Sequence, residues 1–374
     1  MKIIHLDLYK RVIEAVLVTL VGFMFVFGFF IVLDELSNIG RSSVYDPNVS
    51  FGVSTLIQLV LLETPFLAYD LLPICVLIGA VYALSRLAVQ SEFTVMRSGG
   101  FSPFTAIRLM SMLGFGFAVL TFITGDYLSP LADTHKVQIK AQFDGRFSTG
   151  LTGGWLREQR MESGYATLNV GELLPTGEIS KVRIFEFDGQ GRLVKRIDAK
   201  TAHLKDGVLS LREIQMFVYP KNVEVAFSEG VVQQKSPSLE WPTSIQAEMI
   251  SSTLLDKQRL NTFDLYQVIR HLQANKQSSQ RQEIDFWSKL IYPLSCVVMA
   301  LMALPFAYLH FRQSGVSLYV FIGIMLGISF FLLSNMFAYI GNIQGWRPWL
   351  AAASPSLIYV TLSMAAVAWR VLRR

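Results

Sequence analysis

A chain of 374 residues that is 52% apolar and 16% charged, with a mean hydropathy of +0.42, has too little charge for a soluble protein of its length. The formal charge of +5 raises nucleic acid as a partner, but residues 126–285 hold 20 Lys/Arg and 20 Asp/Glu, so the excess flanks the apolar segments and speaks for membrane topology instead. The two cysteines, Cys75 and Cys296, lie inside apolar runs; they exclude a disulfide framework and are too few for a thiolate metal site.

Lys2, Lys10 and Arg11 precede an apolar run in the manner of a signal peptide. The uncharged stretch Ala15–Leu33 is nevertheless long enough to cross a bilayer and ends at Asp34-Glu35 without a small-residue cleavage pattern, which predicts an uncleaved first span over 12–33. The second span includes the uncharged Leu71–Ser85 and begins further back, through Glu63, Pro65, Asp70 and Pro73. Its prolines are expected to kink it, and its acids to sit near the outer end or to face protein. A third span is predicted over 105–125, free of charge from Leu109 to Gly125.

From 126 to 284 the pattern changes. Asp126–Phe143 is expected to continue the third span as a helix. Lys181–Asp188 (KVRIFEFD), Gly207–Tyr219 and Val223–Val232 alternate polar and apolar residues, with turn residues at Asp188-Gly189 and Asp206-Gly207. Short strands with regular turns predict a sandwich or roll, with Ile184, Val208, Leu211 and Val225 pointing inward. A helix is predicted over Thr262–Gln273, with Thr262 as N-cap. Three more spans follow, at Leu290–Leu309, within Gln313–Trp346 and at 348–369.

The fold class is thus an α-helical membrane protein with six transmembrane helices, 3+3, around an inserted β domain. Residues 1–125 hold spans one to three, 126–284 the β domain with flanking helical segments, and 285–374 spans four to six. With the N-terminus inside, ten cations (Lys2, Lys10, Arg11, Arg86, Arg97, Arg108, Arg312, Arg370, Arg373, Arg374) flank the cytoplasmic side and three (Arg41, Lys289, Arg347) the outer side. This bias places both termini in the cytoplasm and 126–284 outside it.

No GxxxxGK[ST], HExxH, GxSxG or CxxC pattern occurs, and His5, His135, His203, His271 and His310 are scattered. Neither a cofactor, a metal centre nor a catalytic set can be nominated, so any ATP hydrolysis belongs to a separate chain. The informative segment is Arg86–Phe104 (RLAVQSEFTVMRSGGFSPF), predicted to form a short amphipathic helix at about 87–98 with Leu87, Phe93, Val95 and Met96 apolar, Glu92 its only acid, and Gly99-Gly100 at its end. Two readings fit: a surface helix on lipid headgroups, or a coupling helix seated in a groove of an ATPase.

Ser91-Glu92, Val95-Met96 and Gly99 stand at the spacing found in the cytoplasmic loop of the lipopolysaccharide export permeases, the LptF/LptG family, and the segment resembles that loop. Trp287–Leu304 (WSKLIYPLSCVVMALMAL) resembles the opening of the C-terminal membrane half in the LptG type, and the plan of three spans, external β-jellyroll and three spans is similar over essentially the whole chain. The resemblance implies a bacterial inner-membrane permease subunit that extracts lipopolysaccharide and passes it to a periplasmic bridge. Its implied partners are two copies of the ATPase LptB, the sister permease LptF and the periplasmic LptC. It implies ATPase coupling through Ser91, Glu92, Phe93, Val95, Met96, Arg97 and Gly99. It also implies cations for the lipid phosphates: Lys140 and its neighbour Lys136 on the helix after span three, and Arg41 after span one, where the family has lysines and this chain reads IVLDELSNIGR. For Arg41 and Lys136 a snorkelling anchor is an equal reading. A mechanical or sensory protein driven by an ATPase without lipid passage, and a membrane-anchored enzyme, are the competing classes; copurifying ATPase and retained lipid separate them.

Overall fold

The computed structural model describes residues 2–43, 49–144, 154–160, 164–173, 178–205, 207–220, 232–245, 260–275, 277–308 and 316–372. They fall into two compact units: 1–35, 60–132 and 280–374 form the first, and 36–59 with 133–279 the second.

The first unit contains helices α1 (Lys2–Glu35), most of α2 (Val53–Val89), α3 (Glu92–Ser98) and α4 (Pro103–Ile123). After α4 one π-helical turn, Thr124–Leu128, leads into α5 (Ser129–Asp144). The C-terminal half contributes α7 (Gln280–Ile291), α8 (Ser295–Met302), α9 (Leu304–Ala307), α10 (Val316–Gln344) and α11 (Pro348–Leu372). Six helical stretches are long and apolar enough to cross a membrane: His5–Asn38, Val53–Val89, Pro103–Lys140, Gln280–Ala307, Val316–Gln344 and Pro348–Trp369. The fourth is broken by a 3-10 turn at Tyr292–Leu294, where Pro293 cannot donate to the helical ladder. The second, by contrast, continues through Pro65 and Pro73.

Burial divides these spans sharply. The apolar window of the second is 72% buried, whereas those of the first and fifth are 6% and 17% buried. Cys75, Val76, Leu77, Ala80, Val81, Leu84 and Leu87 therefore form the centre of the membrane core, with α4 and α8 against it. Helices in lipid gain little from apolar burial alone and must approach closely to gain dispersion energy. Gly114 permits this: a Cβ there would lie 2.6 Å from the Cα of Val297, backbone against backbone. Cys296 is a free thiol, and its Sγ lies 3.3 Å from Thr121 Oγ1 across the same contact.

Lys289 departs from expectation. Instead of flanking the outer end of span four, it is 7% exposed and its Nζ lies 3.7 Å from Asp126 Oδ1, in the π-helical turn. The Tyr292 hydroxyl, one turn on, donates to the Asp70 carbonyl at 2.5 Å.

The second unit carries the expected β domain. Strands β1 (Gly154–Arg160), β2 (Gly164–Leu173), β3 (Glu178–Phe187), β4 (Leu193–Lys205), β5 (Val208–Val218) and β6 (Val232–Pro242) make one antiparallel sheet in sequential order. The β3–β4 turn is built on Asp188, whose carboxylate accepts from the backbone N–H groups of Gln190 and Arg192, both at 2.9 Å. Those bonds hold the Asp188 carboxyl below its ordinary range.

Simple alternation fails part-way along three strands. Ile179, then Val182 and Ile184, are buried on β3; Ile197 and Ala199, then Ala202, on β4; Leu209 and Leu211, then Ile214, on β5. The break in phase is in register, since Val182 pairs Ala199, which pairs Ile214. Lys181 (φ +56°) and Glu213 (φ +50°) sit at the break, and Lys200 reaches Glu213 at 3.2 Å. An irregular residue bends a strand and turns its next side chains inward again, so a crease crosses the sheet and rolls it. Trp241 Nε1 on β6 donates to Glu186 of β3 at 3.0 Å, and Glu158 of β1 accepts from Thr243 Oγ1 at 3.0 Å and Ser244 N at 2.5 Å. Ile184 and Leu211 are core residues as expected; Val208 is only half-buried and Leu209 takes the inward place, while 223–231, with Val225, lie outside the described residues.

Helix α6 (Thr262–Ala274) buries Leu265 and Ile269. Its cap is Asn261, one residue before the expected Thr262, with Oδ1 accepting from Asp264 N at 2.7 Å. The loop after α1 also belongs to this unit: Phe51 meets Phe143 of α5 edge-on at 5.1 Å, and Ser43 Oγ donates to the Gln142 carbonyl at 3.0 Å.

Candidate functional site

The segment between α2 and α4 is the site the sequence singles out. Leu87 to Val89 complete α2, so the separate helix begins only at Glu92. The break falls at Ser91, a non-glycine residue in the left-handed region (φ +61°), whose carbonyl accepts from Val95 N at 3.1 Å. Glu92 in the first turn and Arg97 in the last match the helix dipole. The helix ends in a Schellman cap: Phe101 N donates to the Met96 carbonyl at 3.1 Å and Gly100 N to the Arg97 carbonyl at 3.0 Å. Gly100, not Gly99, adopts the required positive φ of +94°.

A seven-residue helix is unstable alone, so its position must come from packing. Phe93 is 2% exposed and meets Phe101 at 6.0 Å and Tyr308 at 5.1 Å, both edge-to-face. Met96 packs against the membrane core, and the Arg97 guanidinium lies 5.3 Å from the centre of the Tyr308 ring. Glu92 Oε2 accepts from Arg11 Nη1 at 3.0 Å, and Arg11 Nε also reaches Asp7 at 2.9 Å. Phe101 in turn stacks edge-on against His5 at 6.2 Å. The helix is thus fixed to α1 on one side and to the residue after α9 on the other, while Val95, at 68% exposure, faces outward with Thr94 and Ser98.

Every residue of the expected coupling set therefore lies in one short element, divided between anchors (Phe93, Met96) and outward-facing groups. The sequence gives no sign of Arg11 or Tyr308, because their contacts bridge residues 81 and more than 200 positions apart. Only the Asp7–Arg11 pair carried a local signal, the i,i+4 spacing.

The expected lipid-phosphate cations lie in the second unit. Lys140 is half-buried on α5, and Lys136 pairs with Asp133 at 3.6 Å. Arg41 is exposed in the turn whose backbone pairs with Phe51, its carbonyl accepting from Phe51 N at 2.8 Å. The Phe51–Phe143 and Ser43–Gln142 contacts bring the elements bearing Arg41 and Lys140 together.

The family model for the lipopolysaccharide export system permease LptF/LptG matches residues 8–373. The lipopolysaccharide export system permease protein LptG of Escherichia coli strain K12 is 24% identical over 375 residues, covering 99% of this chain and 98% of the relative. The LptG protein of Haemophilus influenzae is 25% identical over 292 residues, covering 78% of this chain and 79% of the relative. With the six spans, the inserted sheet and a family match over nearly its whole length, this chain belongs to the LptF/LptG family of lipopolysaccharide export permeases.

Proposed function

We propose that this chain is an LptG-type permease subunit of an ATP-driven exporter that takes lipopolysaccharide from the inner membrane and passes it to a periplasmic bridge. ATP is hydrolysed by two copies of LptB, LptF is the sister permease and LptC receives the lipid. The observation that carries the reading is the α3 segment. Its inner face is held by Phe93, Met96 and the Arg11–Glu92 pair, while its outer face offers Val95 and polar neighbours, so a push on α3 moves α1 and the Tyr308 region rather than a loose loop. The nearly unburied surfaces of spans one and five suit lipid and the sister permease.

Glu92→Ala tests the coupling role. Both partners of its ion pair with Arg11 are more than a third exposed, so that pair contributes at most about 1 kcal/mol and the variant is expected to fold and insert. If Glu92 also faces the ATPase, loss of the charge lowers docking or coupled export about tenfold or more. Wild-type ATPase capture and wild-type export in the variant would return α3 to a surface helix.

Orientation has its own test. Ser98→Cys and Ser238→Cys place thiols at exposed positions against a background of two buried cysteines. In intact spheroplasts an impermeant maleimide should label 238 and not 98; the reverse pattern inverts the topology. Lys140, with Lys136 and Arg41 as neighbours in the same unit, is proposed to meet the lipid phosphates. A photo-crosslinking residue at 140 should capture lipopolysaccharide, and capture by neighbouring positions of α5 but never by 140 would leave its charge as an anchor only.

A further inference from the structure

A cleft of about 720 Å³ opens between α1, α2 and α10 at the end that bears α3. Its wall is apolar, with Val18, Ile78 and Val320, and its rim carries Arg11, Glu14, Arg86 and Glu92. The rim charges differ in commitment. Arg11 and Glu92 are paired with each other, and Arg11 also with Asp7. Arg86 has only a long contact, from Nη1 to the Tyr82 hydroxyl at 3.5 Å, and among the described residues no carboxylate pairs with it. Glu14 reaches Lys10 at 3.9 Å, with both side chains well exposed. The cleft thus offers one uncommitted cation and one loosely held acid beside an apolar wall.

We infer that this cleft seats a single aminophospholipid, its phosphate on Arg86, its primary ammonium at Glu14 and its acyl chains along Val18, Ile78 and Val320. Charge complementarity selects the headgroup. A net-anionic lipid would bring an uncompensated negative charge to a rim that holds two carboxylates. A quaternary ammonium lacks the N–H groups that a carboxylate accepts from. Basic positions at the cytoplasmic ends of membrane helices are the usual place for lipid phosphates. That this leaflet is the cytoplasmic one rests on the reading above, whereas the cleft and its charges do not. Because the lipid lies against the Arg11–Glu92 pair, it braces the contact that holds α3 to α1.

The test reads bound lipid, not export, so it stands or falls separately from the transport reading. The full-length chain, with the proteins that accompany it, is reconstituted into vesicles of equal parts phosphatidylethanolamine, phosphatidylglycerol and phosphatidylcholine, extracted in mild detergent and weighed by native mass spectrometry. One phosphatidylethanolamine per chain is expected. Arg86→Ala should lower its retention about tenfold, as loss of a charge-assisted hydrogen bond does. Glu14→Gln should erase the preference over phosphatidylcholine while keeping a lipid bound, and Arg108→Ala should change nothing. Equal retention of the three headgroups, or unaltered retention in Arg86→Ala, overturns the proposal. Should Arg86→Ala fail to assemble, a photo-crosslinker at Val18 decides: an adduct with phosphatidylethanolamine supports the site, and an adduct only with another protein chain shows the cleft to be a subunit contact and overturns it.

Discussion

Lys289→Met is expected to destabilise the membrane unit by about 3–5 kcal/mol, because it strands the Asp126 carboxylate in a site from which water is largely excluded. The side chains of Lys289 and Asp126 are 8% and 13% exposed, with Nζ and Oδ1 3.7 Å apart. Within a bilayer an unpaired charge is costlier still, which is why such residues face protein and find partners. The pair ties the π-helical turn after α4 to α7, one element from each half of the membrane unit. The measurement is the midpoint of thermal unfolding in detergent for the single variants Lys289→Met and Asp126→Asn and for the double variant. The singles should fall well below wild type. The double should recover most of the loss, since replacing both partners by neutral groups removes the desolvation cost along with the attraction. Single variants that melt with wild type would mean that the pair contributes nothing, and a double that melts no higher than the singles would mean the loss is steric.

What the sequence disclosed follows from which signals are local. Six spans were legible because an apolar run of bilayer length is a one-dimensional property, and the ends of the second and third spans were displaced only where helix continues into polar residues, as at Val53 and beyond Gly125. The existence of strands was legible from alternation, but not the crease. Lys181 and Glu213 look like ordinary outward-facing charges, yet their positive φ values shift the phase of everything that follows, which is why Val208 and not Leu209 was expected to face inward. The start of α3 was hidden for a related reason: no glycine or proline marks the break at Gln90-Ser91, and Ser91 adopts a conformation that serine seldom takes. Lys289 was misplaced as a flanking cation because the positive-inside argument counts charges near span ends without knowing which of them are paired inside the protein. In the coupling segment the residue types were readable and their division of labour was not, since the burial of Phe93 depends on Tyr308 and the tethering of Glu92 on Arg11.

Removing the six strands is expected to abolish export while leaving assembly with the ATPase intact. The membrane core is built from residues 8–118 and 296–367, and the sheet has its own core between Leu156 and Ile245, so each unit holds together by its own apolar contacts. Replacing 154–242 by a short Gly/Ser linker takes away the second core without opening the first. Nothing in the α3 segment or its anchors is touched, and copurification of LptB should persist at wild-type stoichiometry. Export should fail because the rolled sheet is proposed to receive the acyl chains and to offer an edge for the next protein in the bridge. Strand β6 is suited to that second role: it pairs with β5, it is the last strand of the sheet, and its 11 residues are mostly exposed. An open edge of this length invites indiscriminate pairing. Lys235 and Pro237 lie within it, a charge and a missing donor that discourage random strands while still allowing a partner whose pattern fits around them. The readout is lipopolysaccharide passed from reconstituted vesicles to purified LptC. Transfer at the wild-type rate by the truncated chain would show the sheet to be dispensable, and loss of LptB along with the sheet would show that the strands support the fold and not the route.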